Sequence, residues 1–250
     1  MKAMLRISVI LAGLTTIWIA SAVRSRGEAR TYLSPDSGQA TPTSVLHRGA
    51  VSDVITLRDT FVGQIESLGY KRSLAPPQIV FDNPPEFGSY DAQENILHVA
   101  DWEGLHPEQR TIFEQVASSS NGKMNAEAVF QRALQWIATH ELGHWWQACQ
   151  HKLGESHFAT ERGANRIAAA YWRMRDASLV EWIGQTAGSS IKMFPNPVPQ
   201  GQDVAGYFDA NYEKLQPPAH LWYQNQMILD VLKEQPPPSF RAALQQPTFP

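Results

Sequence analysis

The sequence predicts an α+β protein that is mostly helical, with one small sheet and a helical C-terminal part. Short strand-like pieces occupy residues 78–81, 88–91 and 94–100. Polar turn residues separate the last two pieces, which indicates an antiparallel hairpin within a small sheet. From Asn125, a residue suited to a helix N-cap, apolar residues recur at helical spacing to about Gln150. This is the longest helical pattern in the chain.

The remaining patterns complete a predicted domain over residues 51–240. A helical pattern at 52–68 is followed by Gly69, a residue typical of a helix C-terminus. The three prolines Pro236–Pro238 are predicted to end the ordered part and to lead into a tail at 241–250. Further helices are predicted at about 158–175, 178–187, 203–214 and 218–234.

Residues 1–23 differ in character from the rest of the chain. Basic residues precede an uncharged run at 7–23, which is typical of a signal peptide or of a short membrane anchor. The small residues Ala20–Ala22 would form the cleavage site of a signal peptide. Both interpretations predict an exported protein, with its body outside the cytoplasm. Residues 24–50 contain Ser, Thr, Pro and Gly with few large apolar residues, and we expect a flexible linker there.

Composition excludes one class of partner and one kind of cross-link. The 250-residue chain has a net charge of −3, which argues against nucleic acid because that partner normally requires a basic face. Cys149 is the one cysteine, so no disulfide can form within the chain. We expect membrane contact only through the N-terminal segment, if that segment stays uncleaved.

A motif within the longest predicted helix has the spacing of a metal site. His140 and His144 lie one helical turn apart and about 40° apart around the axis, so two imidazoles could bind one ion. Glu141 occupies a neighbouring face, where it could deprotonate a water on the metal. The alternative is a helix with two ordinary histidines, but the uncharged flanking residues favour a buried metal site. The metzincin version is excluded because Gln147 and Gln150 stand where it requires glycine and a third histidine.

A catalytic zinc site usually has a third protein ligand, and three downstream residues compete for this role. Glu155 lies in a predicted turn, where a side chain is poorly fixed, and His157 has no nearby residue spaced to orient it. Glu161 lies on a predicted helix, and Asn165 follows one turn later, placed to accept a hydrogen bond from a ligand histidine. We therefore predict Glu161 as the third ligand, against the alternative that Glu161 and Asn165 form a solvated helix face.

These residues give the chain a resemblance to the glutamate-zincins (gluzincins), and Glu161-x-x-Ala164-Asn165 is most similar to the ImmA/IrrE type of metallopeptidase. The resemblance covers roughly residues 78–172. It implies a zincin-like fold, with a small antiparallel or mixed sheet packed on the motif helix. It also implies an edge strand, here 95–100, that binds extended substrate. Zinc as cofactor, Glu141 as general base and a peptide or protein substrate follow from the same resemblance.

Peptide hydrolysis also requires a hydrogen-bond donor for the oxygen that becomes negative. His157 precedes the Glu161 helix, and the C-terminal helices offer four more candidates, each of which is equally suited to packing: Tyr207, Tyr212, His220 and Tyr223. The alternative function is an exported zinc-binding protein without peptidase activity, in a binding or assembly role. A purely structural zinc site usually has four protein ligands and does not need a base such as Glu141.

Overall fold

The computed structural model describes most of the chain after its N-terminal region. The predicted signal peptide or anchor at 1–23, and most of the predicted linker at 24–50, lie outside the described residues. The chain divides into two compact units, Met1–Leu142 and Gly143–Pro250. None of the described helices is both long enough and apolar enough to cross a membrane. The described residues are 30–31, 44–84, 86–119, 124–154, 156–215 and 217–249.

The structure confirms an α+β fold that is mostly helical. Helix α1 begins at Ser44, inside the range predicted as linker, and ends before Gly69, whose φ of 83° is suited to glycine. Helix α2 follows the sheet and was not predicted. Helix α3 begins after Asn125, whose side chain accepts a hydrogen bond from the backbone N–H of Ala128 at 2.8 Å, as predicted for an N-cap. The helices are α1 Ser44–Ser67, α2 Pro107–Ser119, α3 Ala126–Cys149, α4 His157–Arg175, α5 Ala177–Ser190, α6 Val204–Asn211, α7 Pro217–Leu232 and α8 Phe240–Gln245.

The strands form one mixed sheet in the order β1-β2-β4-β3. Strand β2 pairs with β4 in parallel, whereas β1 with β2 and β3 with β4 pair antiparallel, which confirms the predicted hairpin. The expectation that residues 95–100 form the edge strand is wrong, because β4 lies between β2 and β3, and β3 is the terminal strand on that side of the sheet. The polar sequence of β3 suits an edge, while Leu97 and Val99 of β4 are almost fully buried. The bounds are β1 Arg30–Thr31, β2 Gln78–Phe81, β3 Gly88–Asp91 and β4 Ile96–Val99.

Within the first unit, the sheet packs directly on α3, as predicted. A Cβ atom added at Gly88 of β3 would overlap the side chain of Ile137 and would lie 3.4 Å from Cγ of Glu141. Only a residue without a side chain therefore fits where the edge strand meets this helix. As a result, β3 lies beside the turn of α3 that carries Glu141.

In the second unit, α4 is the central helix, packed against α5, α6, α7 and α8. All ten residues from Gly163 to Trp172 are buried, as expected for a helix that is covered on every side. The prediction that Pro236–Pro238 end the ordered part is wrong, because α8 follows and buries Phe240. The indole of Trp146 donates a hydrogen bond to the carbonyl oxygen of Leu244 at 3.0 Å. Residues predicted as a tail at 241–250 are thus packed as far as they are described.

Candidate metal centre

His140, His144 and Glu161 come together in the structure, with their ligand atoms within 4.8 Å of one another. The two histidines lie on successive turns of α3, and Glu161 lies near the start of α4. His140 is 8% exposed, and the side chains of His144 and Glu161 are each 12% exposed. In the part of the chain that the structure describes, no other His, Cys, Asp or Glu joins them in a group of this kind.

The spacing of this group suits a metal ion better than a direct contact. Nε2 of His144 and Oε1 of Glu161 lie 3.7 Å apart, which is too long for a hydrogen bond. Two ligands bound tetrahedrally to zinc at normal bond lengths would be roughly 3.4 Å apart. Two imidazole nitrogens and a carboxylate oxygen form a donor set that zinc accepts, and one coordination position would stay open. The described residues therefore fit a metal ion of this class.

A close approach of two helices sets the distance between these ligands. A Cβ atom added at Gly143 of α3 would lie 3.0 Å from Cα of Ala164 and 3.2 Å from its Cβ on α4. Gly143 directly precedes His144, and Ala164 lies one turn after Glu161, so both small residues flank the ligands. Since neither carries a bulky side chain, the backbones approach closely enough for one ion to reach both ligands.

His144 is oriented by Gln147, one turn later on the same helix. Nδ1 of His144 lies 2.8 Å from Oε1 of Gln147, which is fully buried. Metal-binding histidines usually donate their second ring N–H to an acceptor of this kind, which leaves Nε2 for the metal. In the sequence, Gln147 stood out only as a departure from the metzincin pattern, and this contact was not predicted. Its spacing of one turn from His144 was the signal that could have indicated it.

Glu161 is held by a pair of amides. The side chain of Gln224 on α7 donates a hydrogen bond from Nε2 to Oε2 of Glu161 at 2.8 Å. Asn165 donates from Nδ2 to the backbone oxygen of Glu161 at 3.1 Å and to Oε1 of Gln224 at 3.3 Å. The expected bond from a ligand histidine is not among the hydrogen bonds that the described residues give Asn165. This asparagine therefore contacts the backbone of Glu161 directly and reaches its carboxylate through Gln224, a residue that was not singled out from the sequence.

Glu141 lies where the motif predicts, directly after the first histidine of the group. It is 8% exposed and faces the backbone of Gly88 at the edge strand. Glu141 follows His140 directly in α3 and is not a member of the metal-ligating group of the described residues.

Three of the five candidates for the hydrogen-bond donor contact Phe208 in the second unit: Tyr212, His220 and Tyr223. His157 stacks on Tyr212 with ring centroids 3.9 Å apart, and Tyr212 and His220 both contact the ring of Phe208. Neither histidine belongs to the metal-ligating group of the described residues.

His220 lies one turn before Gln224 on α7, so it shares the helix face that contacts Glu161. Glu155, which competed for the third ligand position, lies outside the described residues.

The two remaining tyrosines lie close enough to interact electrostatically. Tyr223 is fully buried, and its hydroxyl donates a hydrogen bond to the carbonyl oxygen of Val204 at 3.2 Å. Burial, with the nearby Tyr207 and Asp203, raises the pKa of Tyr223 to about 12. Tyr223 therefore stays neutral at physiological pH and already has an acceptor for its proton. Tyr207 is half-buried beside it.

Comparison of the chain with protein-family models, curated proteins and solved structures gave no match. The class of protein is therefore defined by the site itself: a mostly helical α+β protein with a largely buried His–His–Glu group that could hold a metal ion.

Proposed function

We propose that the protein is a zinc-dependent metallopeptidase, as the resemblance to the glutamate-zincins implies. The observation that carries this proposal is the largely buried group of His140, His144 and Glu161, with Glu141 next to its first member. Three protein ligands and an open position are typical of catalytic zinc, whereas structural zinc usually has four protein ligands. A carboxylate that adjoins the metal group without joining it has the placement of a general base.

In the proposed hydrolysis, different residues bind the metal ion, transfer the proton and orient the ligands. His140, His144 and Glu161 would hold the ion, which when bound lowers the pKa of a water molecule and polarises the substrate carbonyl. Glu141 accepts the proton that the attacking water loses and passes it to the nitrogen of the leaving amine. Gln147 and Gln224 hold His144 and Glu161 in fixed orientations, so little reorganisation is needed during the reaction.

Strand β3 is the element we propose for binding extended peptide. It is one of the two terminal strands of the described sheet, and Gly88 brings it against the turn of α3 that carries Glu141. A peptide could add to such an edge through backbone hydrogen bonds. Its backbone would then run beside the proposed base, which supports hydrolysis of a peptide bond as the reaction.

The experiment is metal analysis of the full-length protein, followed by digestion of a peptide library with and without a chelator. We expect bound zinc and cleavage that the chelator abolishes. The matched variant is Glu141→Gln, which should retain zinc but lose hydrolysis by several orders of magnitude. Bound zinc without cleavage would favour the alternative, a zinc-binding protein with a binding or assembly role. Undiminished cleavage by Glu141→Gln would show that another group is the base.

We also propose that the body of the protein acts outside the cytoplasm, because of the uncharged run at 7–23. Fractionation of expressing cells tests this, together with N-terminal sequencing of the purified protein. A start near Val23 would indicate a cleaved signal peptide, and an intact N-terminus in the membrane fraction would indicate an anchor. A soluble cytoplasmic protein with an intact N-terminus would contradict export.

A further inference from the structure

We propose that Gln147 is a positioning residue for His144, and that residues 247–249 hold Gln147 in place. These residues are called here the C-terminal segment. The inference rests on the metal site proposed above and extends it to a part of the chain far from the metal-binding motif in sequence. It makes metal affinity depend on how the C-terminal segment is packed.

The hydrogen bonds of Gln147 determine which way its side-chain amide faces. Its Nε2 donates to the backbone oxygens of Thr160 at 2.8 Å and of Pro247 at 2.6 Å. Carbonyl oxygens only accept hydrogen bonds, so both amide protons are committed and Oε1 must face His144. Nδ1 of His144 must then carry the proton, since Oε1 of Gln147 can only accept. In the neutral imidazole the other nitrogen, Nε2, then has its lone pair free for a metal ion, and it lies 3.7 Å from Oε1 of Glu161.

Gly163 is the residue that lets the C-terminal segment reach this amide. A Cβ atom added at Gly163 would overlap the carbonyl oxygen of Pro247 and would lie 3.0 Å from Nε2 of Gln147. The three residues therefore meet at one point, and the absence of a side chain on α4 creates the space. Because Gln147 is fully buried, water does not replace the Pro247 oxygen without a rearrangement.

Phe249 anchors the segment two residues further on. Its backbone N–H donates to the carbonyl oxygen of Ala159 at 3.0 Å. Its ring lies under two guanidinium groups, with those of Arg162 and Arg166 at 4.5 Å and 4.4 Å from the ring centroid. In such cation–π contacts the negative face of the ring attracts the positively charged guanidinium groups. The segment is thus fixed on α4 independently of its contact with Gln147.

A continuous chain of contacts follows from these observations. Phe249 fixes the segment, the Pro247 oxygen fixes the Gln147 amide, and that amide fixes the protonation site of His144. Loosening any member should weaken metal binding without removing a ligand.

The experiment uses three variants of the full chain and two measurements. Gln147→Leu removes the amide at similar volume, Gly163→Ala displaces the Pro247 oxygen, and Phe249→Ala removes the anchor without touching the amide. Gly63→Ala in α1 is the control, because a Cβ there meets nothing within 4 Å. Zinc affinity is measured by competition with a chelator. The protonated nitrogen of His144 is identified by long-range ¹⁵N–¹H NMR of the metal-free protein.

We expect Gln147→Leu and Gly163→Ala to bind zinc about 10–100-fold more weakly, as for loss of an outer contact to a ligand. Phe249→Ala should have a smaller effect in the same direction, and Gly63→Ala none. In the wild type, NMR should find the His144 proton on Nδ1, and in Gln147→Leu it should shift towards Nε2. Wild-type affinity in both Gln147→Leu and Gly163→Ala would overturn the proposal, as would a wild-type proton on Nε2. If the wild type binds no zinc but carries the proton on Nδ1, the metallopeptidase proposal fails and the positioning by Gln147 stands.

Discussion

Gln224 binds one carboxylate oxygen of Glu161 and leaves the other near His144. It donates to Oε2 at 2.8 Å, while Oε1 lies 3.7 Å from Nε2 of His144. One oxygen is therefore held by the protein and the other is turned towards the metal-ligating group. This arrangement favours binding of a metal ion through Oε1 alone, with the carboxylate plane fixed by an amide of α7.

Replacement of Gln224 should weaken the metal site without removing a ligand. We expect Gln224→Leu to lower zinc affinity about 10–100-fold, because Oε2 of Glu161 loses its donor. Asn165→Ala, which acts through Gln224, should have a milder effect. Gln226→Leu is the matched control, since Gln226 lies on the same helix but donates to Asp230 at 2.8 Å. Chelator competition measures all three, and equal affinities for Gln224→Leu and Gln226→Leu would contradict this role.

Gly143→Ala combines two opposing effects: a gain in helix propensity and a steric conflict between α3 and α4. Alanine in place of glycine within a helix is favourable by about 1 kcal/mol. Here the new Cβ would lie 3.0–3.3 Å from atoms of Ala164, so α4 must shift by a few tenths of an ångström. We expect the metal-free variant to gain no thermal stability and to bind zinc more weakly. Gly63→Ala should gain thermal stability and keep the zinc affinity of the wild type. If Gly143→Ala also gains stability and keeps this affinity, the close packing of Gly143 on Ala164 does not limit the site.

Local signals predicted the elements of the fold and the core of the site. The strands at 78–81 and 88–91 and the cap at Asn125 depend on neighbouring residues, as does the His140–His144 spacing. The strand order was not predictable in this way, because alternation identifies a strand but not its neighbours. Residues 95–100 were therefore given the edge position that belongs to β3.

Long-range contacts to the backbone explain what the sequence analysis missed. Gln147 bonds to the oxygens of Thr160 and Pro247, which lie 13 and 100 residues away. Any residue type can offer a backbone oxygen, so neither partner could be recognised from its residue type. The tail prediction failed for a related reason. A helix does end before the prolines, at Leu232, but Phe240 then begins another that is buried by distant residues.

Tyr223 should make the stability of the fold fall at high pH. Its pKa is raised from 10.0 to about 12 in the folded protein, chiefly by burial. Above pH of about 10 the unfolded chain releases this proton while the folded protein keeps it, so unfolding becomes more favourable up to about pH 12. At neutral pH the free energy of unfolding of Tyr223→Phe should be lower by about 0.5–1.5 kcal/mol, because the hydrogen bond to Val204 is lost. At high pH the free energy of unfolding of the variant should fall less steeply than that of the wild type. Urea unfolding of the metal-free proteins between about pH 8 and 11 measures the difference, and parallel losses in both would contradict the assignment.

The identity of the third ligand is tested by Glu161→Ala and His157→Ala. Glu161 lies within 4.8 Å of both histidine ligand atoms, and Gln224 fixes its carboxylate. His157 is instead exposed and stacked on Tyr212, with an angle of 4° between the rings, so its ring serves a contact within the second unit. We expect Glu161→Ala to lower zinc affinity by orders of magnitude, because it removes one of three protein ligands. His157→Ala should keep the affinity of the wild type, and a loss of stacking would appear only as a small fall in thermal stability.

Zinc titration of the two variants decides the assignment. If His157→Ala loses the metal while Glu161→Ala retains it, the glutamate-zincin interpretation is wrong, although a site built on His140 and His144 would survive.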